Sequence, residues 1–394
     1  MRLEVSLTEL RNRRSRVMAE AAQRNMQGIC TFGCEQIFYL TNLRFFPTER
    51  PVCLVLFEEK VYCLAPRLEE ERIGLYSTDV IPVPYPEYPG TKHPMHHLRE
   101  LLTTLGLTDK TIGVDSDGAP SVFGYEGPAI SELVPEASIV AAKDIIDNLR
   151  KVKTDEEIEL IRESTKWGNL AHTLLQKYTA PGLSENEISL RAYTETALAI
   201  ERAFGERNKS FWGSAEAGLV FFRGQVGAYT AYPHALNRNA IIKSGDLLIS
   251  GVVPAIGGYH SELERTMVVG SPTPRIEKYF DLMLTAQQVA FDAIRPGAPC
   301  SAVDNALTAF YEENELLDYW RSHTGHGLGL GEHEAPFFDS GDHTVMEPGM
   351  VFSVEPGIFI PDFGGFRHSD TVLVTEGGVE ILTYYPRDLE SLII

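Results

Sequence analysis

Apolar and polar positions follow two rhythms along this chain, one helical and one of short strands. Residues 7 to about 26 place Leu7, Leu10, Val17, Met18 and Ala21 near one face among charged neighbours, which predicts an amphipathic helix. After GICTFG and EQIFYLTN comes PVCLVLFEEKVYCLAP, two apolar runs joined by the polar Glu58-Glu59-Lys60 turn. It reads as a pair of strands. DVIPVPY and KTIGVDS predict two more strands, separated by a helix near residues 94–105. This mixture describes an α/β domain over residues 1–148.

A second domain, 149–394, opens with LRKVKTDEEIELIRES. Thr154 is placed to cap a helix, with Glu157 reaching back to the cap's own amide. Ser184 and Glu187 repeat the device, flanked by Leu183 and Ile188 at the staple positions. This section also repeats itself. PGLSENEISL at 181 returns as PGAPCSAVDNAL at 296, SGDLLISG at 244 as PGMVFSVE at 348, and GGYHSELERTMVV at 257 as GGFRHSDTVLVT at 364. Two similar halves related by a pseudo-twofold are expected, with hairpins of one sheet facing each other. Gly251 and Glu355 then occupy matched places, as do Glu264 and Ser369. Alternation along a strand puts Glu262, Glu264 and Thr266 on one face, and Arg367, Ser369 and Thr371 on one face.

Composition narrows the function classes. The 394 residues carry 35 Lys+Arg against 55 Asp+Glu, a net charge of −20, which disfavours a nucleic-acid partner. No apolar stretch approaches the roughly 20 residues that span a bilayer, and MRLEVSLTELRNRRSRV has no signal-peptide core. A cytoplasmic protein without membrane partners is expected. The five cysteines (30, 34, 53, 63 and 300) include no CxxC pair, which suits free thiols. His93, His96 and His97 read as a solvated loop and helix start. Asp115-Ser-Asp117-Gly reads as a strand end and turn, since the distal Glu of a calcium loop is missing.

Chemistry concentrates in the second domain. Acids projecting from a central sheet are costly to bury unless a cation or substrate is served. Histidine density points the same way. His326 and His333 lie seven residues apart in TGHGLGLGEHEAP, and AYPHALNRN places His234 upstream of the strand leading to Gly251. Trp212, in SFWGSAEAG, lies in a segment that could line the same pocket.

The LRKVKTDEEIELIR opening, the spacing from His234 to Asp246, GHGLG-x3-HE, EPGMVFSVEPGIF and GGFRHSDTVLVTEGG together resemble the creatinase/prolidase/methionine aminopeptidase family over nearly the whole chain. The resemblance implies a creatinase-type N-terminal α/β domain and a C-terminal pita-bread domain, and it accounts for the internal repeat. Metallopeptidases of that family hold two divalent ions with two Asp, one His and two Glu. At those positions this chain has Gly251, Glu262, His326, Glu355 and Ser369. Glycine offers no side-chain ligand and serine substitutes poorly for a bridging carboxylate. A two-ion centre is therefore not expected. A single ion (Mn, Co, Zn or Fe) on Glu262, His326 and Glu355 stays open, with no cofactor at all preferred.

The agreement extends furthest toward the metal-independent creatinase branch. There the resemblance gives Glu264 and Glu355 the places of carboxylates that bind a guanidinium, and His234 that of the catalytic histidine. Arg50, in FFPTERPVCLVL, resembles the arginine-proline element that holds the substrate carboxylate, with Phe45 or Phe46 as a nearby aromatic wall. The family's N-terminal segment reaches the partner's active site, which implies a homodimer. The expected catalytic set is thus His234, Glu264, Glu355, His326 and His333, with Arg50, Glu262 and Arg367 binding substrate. The expected activity is hydrolysis of a C–N bond in a small molecule bearing a cationic nitrogen group and a carboxylate, the substrate cation balancing the clustered acids. Two other readings stand beside it: an Xaa-Pro dipeptidase with a degenerate metal site, and a non-catalytic peptide-binding module.

Overall fold

The structure, a computed structural model, describes residues 3–118, 125–207 and 218–394. They form two compact units, one from the residues up to Arg150 and one from Lys151–Ile394. No helix among the described residues is long and apolar enough to cross a membrane. All five cysteines stand free.

The first unit is a six-stranded sheet flanked by helices. Its strands are β1 (Gly28–Thr31), β2 (Cys53–Phe57), β3 (Lys60–Pro66), β4 (Ile81–Tyr85), β5 (Thr111–Val114) and β6 (Ser138–Ala141), in the order β4-β3-β2-β1-β5-β6. The helices are α1 (Leu7–Gln23), α2 (Cys34–Thr41), α3 (Glu70–Tyr76), α4 (Pro94–Thr104), α5 (Ile130–Leu133) and α6 (Lys143–Lys151). The β2–β3 hairpin is tighter than the letters imply, because Lys60 already pairs with Phe57. Glu58 takes the positive φ of 53° that a two-residue turn demands. Along α1, Leu10, Val17 and Ala21 are buried as the helical spacing predicts, whereas Leu7 in the first turn is exposed. His93 caps α4 by accepting from the Met95 amide. Asp115 closes the end of β5 by accepting from the Phe32 and Gly33 amides.

The second unit is built from α7 (Asp155–Tyr178), α8 (Glu185–Phe204), α9 (Pro274–Ala293) and α10 (Ser301–Glu313) with strands β7 (Val220–Phe221), β8 (Leu247–Val252), β9 (Ala255–Ile256), β10 (Tyr259–His260), β11 (Leu263–Val268), β12 (Gly325–Gly327), β13 (Glu334–Phe338), β14 (Val351–Val354), β15 (Gly357–Ile360), β16 (Gly364–Arg367), β17 (Ser369–Thr375) and β18 (Gly378–Ile381). Thr154 and Glu157 form the expected capping box, the Thr154 amide donating to Glu157 Oε2 at 2.9 Å. At Ser184 only half of the box forms: the Glu187 amide donates to the Ser184 hydroxyl, while the Glu187 carboxylate pairs with Arg191 instead.

The main sheet runs β13-β12-β14-β17-β11-β8-β7, with β18 on β17. About the β11–β17 seam, β8 mirrors β14, and the small hairpins β9–β10 and β15–β16 are sister excursions. This is the pseudo-twofold arrangement expected from the repeat, a pita-bread fold. Its interior strands β8, β11 and β14 are buried at every residue. Such strands need covering on both faces, and helices such as α7 and α9 supply apolar side chains to the core they enter.

Candidate functional site

Register brings the acids together. Gly251 on β8 lies opposite Glu264 on β11, and Glu264 lies opposite Ser369 on β17. Phe221 on β7 lies opposite Gly251, so Phe221, Gly251, Glu264 and Ser369 make one row across four strands. Glu262 stands just ahead of β11. Its amide donates to Thr371 Oγ1 at 2.8 Å and its carbonyl accepts from the same hydroxyl at 2.9 Å, which ties it to β17.

From the other half come His326 and Glu355. His326 sits on β12, where the ladder shifts register between His326 and Gly327, an irregularity of the kind that re-aims side chains. Close approach of β12 to β14 needs Gly325, because a Cβ there would meet the Ser353 carbonyl oxygen at 2.1 Å. Glu355 follows β14, and its amide donates to the Thr324 carbonyl at 2.9 Å.

All these groups are buried. His326 Nδ1 is 3.0 Å from the Gly327 carbonyl and so donates to it, which aims Nε2 at Glu355 Oε1 (3.2 Å) and Glu262 Oε2 (3.6 Å). Arg367, on β16, donates from Nη2 to Glu264 Oε1 at 2.7 Å, and its Nε also contacts Glu264 Oε2. Arg367 Nη1 lies 3.8 Å from Glu355 Oε2. Ser369 donates to Glu262 Oε1 at 2.5 Å.

Burial, then the charge of Glu355, pushes Glu262 up to about 8. Burial works against charging His326, but the close approach of Glu355 to Nε2 and the charge of Glu262 outweigh it and raise the ring to about 9. Burial likewise opposes ionising Glu355, yet His326 and Arg367 hold it down at about 2. The cluster thus sets Glu355, held low, and Glu264 against Arg367 and a His326 ring whose charged form is favoured, while burial favours the protonated form of Glu262. The chain brings cations of its own, Arg367 and the His326 ring, to the acids that a substrate cation was expected to balance.

The remaining expected residues divide. His333 stacks on His326 with ring centroids 3.6 Å apart, exposed at its edge. Desolvation of the stacked face and the charge of His326 lower it to about 4. His234 is exposed yet lowered by burial of one side and by Arg223 and Arg367, which puts it within electrostatic reach of the cluster. Arg50 lies in the other unit, lining a cavity of about 340 Å³ with Phe45, Phe46 and Tyr125. Its Nε and Nη2 meet Glu87 at 2.7 and 3.3 Å and its Nη1 meets Glu49 at 2.6 Å, so two carboxylates hold its guanidinium. Trp212 falls outside the described residues.

Three contributors escape the sequence reading. His323 lies close enough to His326 and His333 for their ring nitrogens to approach within 4.8 Å, and its place three residues before His326 was a signal. Phe221 and Arg223 carry no local signal.

These contacts allow a test for metal. Glu262, His326 and Glu355 offer ligand atoms within 4.8 Å of one another, and His326 Nε2, though buried, makes no well-formed hydrogen bond. One divalent ion fits that set. A second does not: a Cβ on Gly251 would meet Phe221 Cε2 at 2.6 Å and Cζ at 3.0 Å, so an aromatic ring occupies the space of a ligating side chain. The Ser369 hydroxyl is spent on Glu262.

The description "Metallopeptidase family M24" matches residues 159–376, and "Creatinase/Prolidase N-terminal domain" matches residues 13–152. An Xaa-Pro dipeptidase of Pyrococcus furiosus is 33% identical over 62% of this chain and 67% of its own length. A Bacillus subtilis protein described as an uncharacterized peptidase, YqhT, is 30% identical over 75% of this chain and 80% of its own. Among solved structures, an Xaa-Pro dipeptidase from Bacillus anthracis superposes with a TM-score of 0.82, covering 98% of this chain and all of that one at 23% identity, which speaks for the fold. The resemblance to the creatinase branch in particular draws no support from these relatives, and they give no ground for preferring a metal-free site.

Proposed function

Since the chain belongs to metallopeptidase family M24, with a creatinase/prolidase N-terminal domain, we propose that it is a dipeptidase-type hydrolase cleaving the amide C–N bond of a small, dipeptide-sized substrate. The observation that carries this is the convergence of Glu262, His326 and Glu355 from both halves of the fold within 4.8 Å, beside the histidines 323 and 333. Glu262, His326 and Glu355 would hold a single divalent ion, which when bound supplies Lewis acidity toward water and the scissile carbonyl. The chain's own groups supply the rest. Glu355 orients a water molecule through a charge-assisted contact from its carboxylate. Arg367, always charged, presents donors to an oxygen gaining negative charge. His333, neutral at pH 7, takes a proton from water and returns it to the leaving nitrogen. The free thiols fit a cytoplasmic setting.

The test is a panel of Xaa-Pro and other dipeptides, with and without chelator and added Mn²⁺, read by chromatography of the released amino acids. Dipeptide cleavage that chelation abolishes is the expected result. No cleavage of any dipeptide would end this reading. A second reading, metal-free hydrolysis of a guanidino or amidino carboxylate, is favoured by Phe221 filling the space at Gly251. It predicts turnover of such compounds in full chelator. Against it, the guanidinium that Glu264 holds is that of Arg367.

A further inference from the structure

The row Phe221–Gly251–Glu264–Ser369 contains both positions at which the family's ligand set is broken, and they flank Glu264 on either side. Directly opposed residues of antiparallel strands project from the same face, so whatever Glu264 holds faces the space that the missing ligands vacated. What it holds is the Arg367 guanidinium, gripped at both carboxylate oxygens and lying 3.8 Å from Glu355. Arg367 is buried and comes from β16, in the half of the fold opposite Glu264. Its placement does not rest on chance packing, because the β11 and β16 backbones are pinned together beside it. The Thr266 hydroxyl donates to the Arg367 carbonyl at 3.0 Å and accepts from the Arg367 amide at 2.9 Å.

We propose that the Glu264–Arg367 pair replaces one of the two metal ions of this family with a tethered guanidinium, a fixed cation against which the carbonyl oxygen of the scissile bond is polarised. The catalytic half of this rests on the hydrolase reading above; the replacement of an ion does not. A guanidinium suits the place because it cannot lose its charge in a protein and because its planar fork offers five N–H donors, of which Nη2 donates to Glu264 Oε1 while Nε lies against Oε2. The donors of Nη1 stay directed toward Glu355, where the ion on Glu262, His326 and Glu355 would also lie. The site would then take one exchangeable ion where its relatives' scaffold takes two, and its second positive centre would be insensitive to chelators.

Two measurements decide it. The first needs no turnover: metal-stripped full-length protein is titrated with Mn²⁺ by calorimetry, and bound metal is counted by mass spectrometry. Wild type is expected to take up no more than one ion per chain, and two would overturn the proposal. The Arg367→Ala variant, freed of the guanidinium beside Glu264 and Glu355, is expected to bind Mn²⁺ at least tenfold more tightly or to gain a second ion. Unchanged binding in a folded variant would overturn it. The second measurement is kinetic. Loss of an oxyanion donor lowers kcat by roughly 10² to 10³, and millimolar guanidinium chloride should restore at least tenfold of it in Arg367→Ala, where sodium chloride of equal ionic strength does not. A variant with wild-type kcat, or one that guanidinium leaves silent, would overturn the catalytic half. Absence of turnover in wild type itself would fell the hydrolase reading, and the Mn²⁺ count would still decide the replacement.

Discussion

Removal of the Asp370 carboxylate tests how the far face of the sheet supports the site. Alternation along β11 turns Arg265 away from Glu264, into a fully buried position under the sheet. There it has five hydrogen bonds: from Nε to Pro386 O (2.9 Å), from Nη1 to Glu264 O (2.7 Å) and Ser369 O (3.0 Å), and from Nη2 to Asp370 Oδ1 (2.8 Å) and Tyr385 O (3.0 Å). Asp370 also accepts from Thr383 Oγ1 at 2.6 Å and Gln287 Nε2 at 2.9 Å. Asp370→Ala leaves a buried cation without its counter-ion and takes the acceptor from the Thr383 hydroxyl. Breaking a buried pair on one side costs about 3–5 kcal/mol. At about 2–4 °C per kcal/mol for a unit of this size, Tm falls by roughly 6–20 °C. Urea unfolding followed by circular dichroism reads the loss. The Arg265→Met/Asp370→Leu double variant, which removes both charges, should recover most of it, because apolar replacement of a whole buried pair is often neutral. A single variant that loses less than about 1 kcal/mol, or a double variant as unstable as the single, refutes the reasoning. Because Arg265 grips the carbonyls of Glu264 and Ser369, kcat should fall with stability in the single variant.

Three further outcomes are expected. Glu355→Gln should lower kcat by roughly a hundredfold or more in a variant whose circular dichroism remains that of the folded protein; a fully active variant would remove Glu355 from the chemistry. Gly251→Ala presses a methyl group into the Phe221 ring and should cost about 1–3 kcal/mol. In a Phe221→Ala background that penalty should disappear, so strictly additive effects in the double-mutant cycle would show that the ring does not fill that space. His172 is fully buried, and burial, then Arg265, lowers it to about 3 from its ordinary 6.5. Folding therefore favours the neutral ring, a contribution intact above pH 6.5 and drained as pH falls toward 3. His172→Gln should flatten the acid side of the stability profile across that window, and a variant as acid-sensitive as wild type would count against it.

Much of this architecture was legible from local patterns, because caps, turns and strand alternation act over a few residues. Thr154 and Glu157 cap α7 as read, and the internal repeat anticipated both the mirrored strand order and the opposition of Glu264 and Ser369. What escaped was choice of partner. Glu264 was legible as an acid facing the site, but its grip on Arg367 depends on how the β15–β16 hairpin folds back over β11. Arg50 was read as the arginine of a carboxylate-holding element, and its pairing with Glu87, 37 residues away, left no mark in its own stretch. Phe221 sits on a strand of two residues whose register with Gly251 no short window reveals.

The mirrored strand order has a consequence for how such a site changes over time. Gly251 and Glu355 are sister positions at the ends of sister strands. Once a doubled fold presents the same spot twice, either copy is free to drift while its twin keeps working. Here one twin is a glycine with an aromatic ring against it, and the other is a carboxylate facing His326. The two halves thus treat the same spot differently, one closing it with packing and the other leaving a carboxylate there.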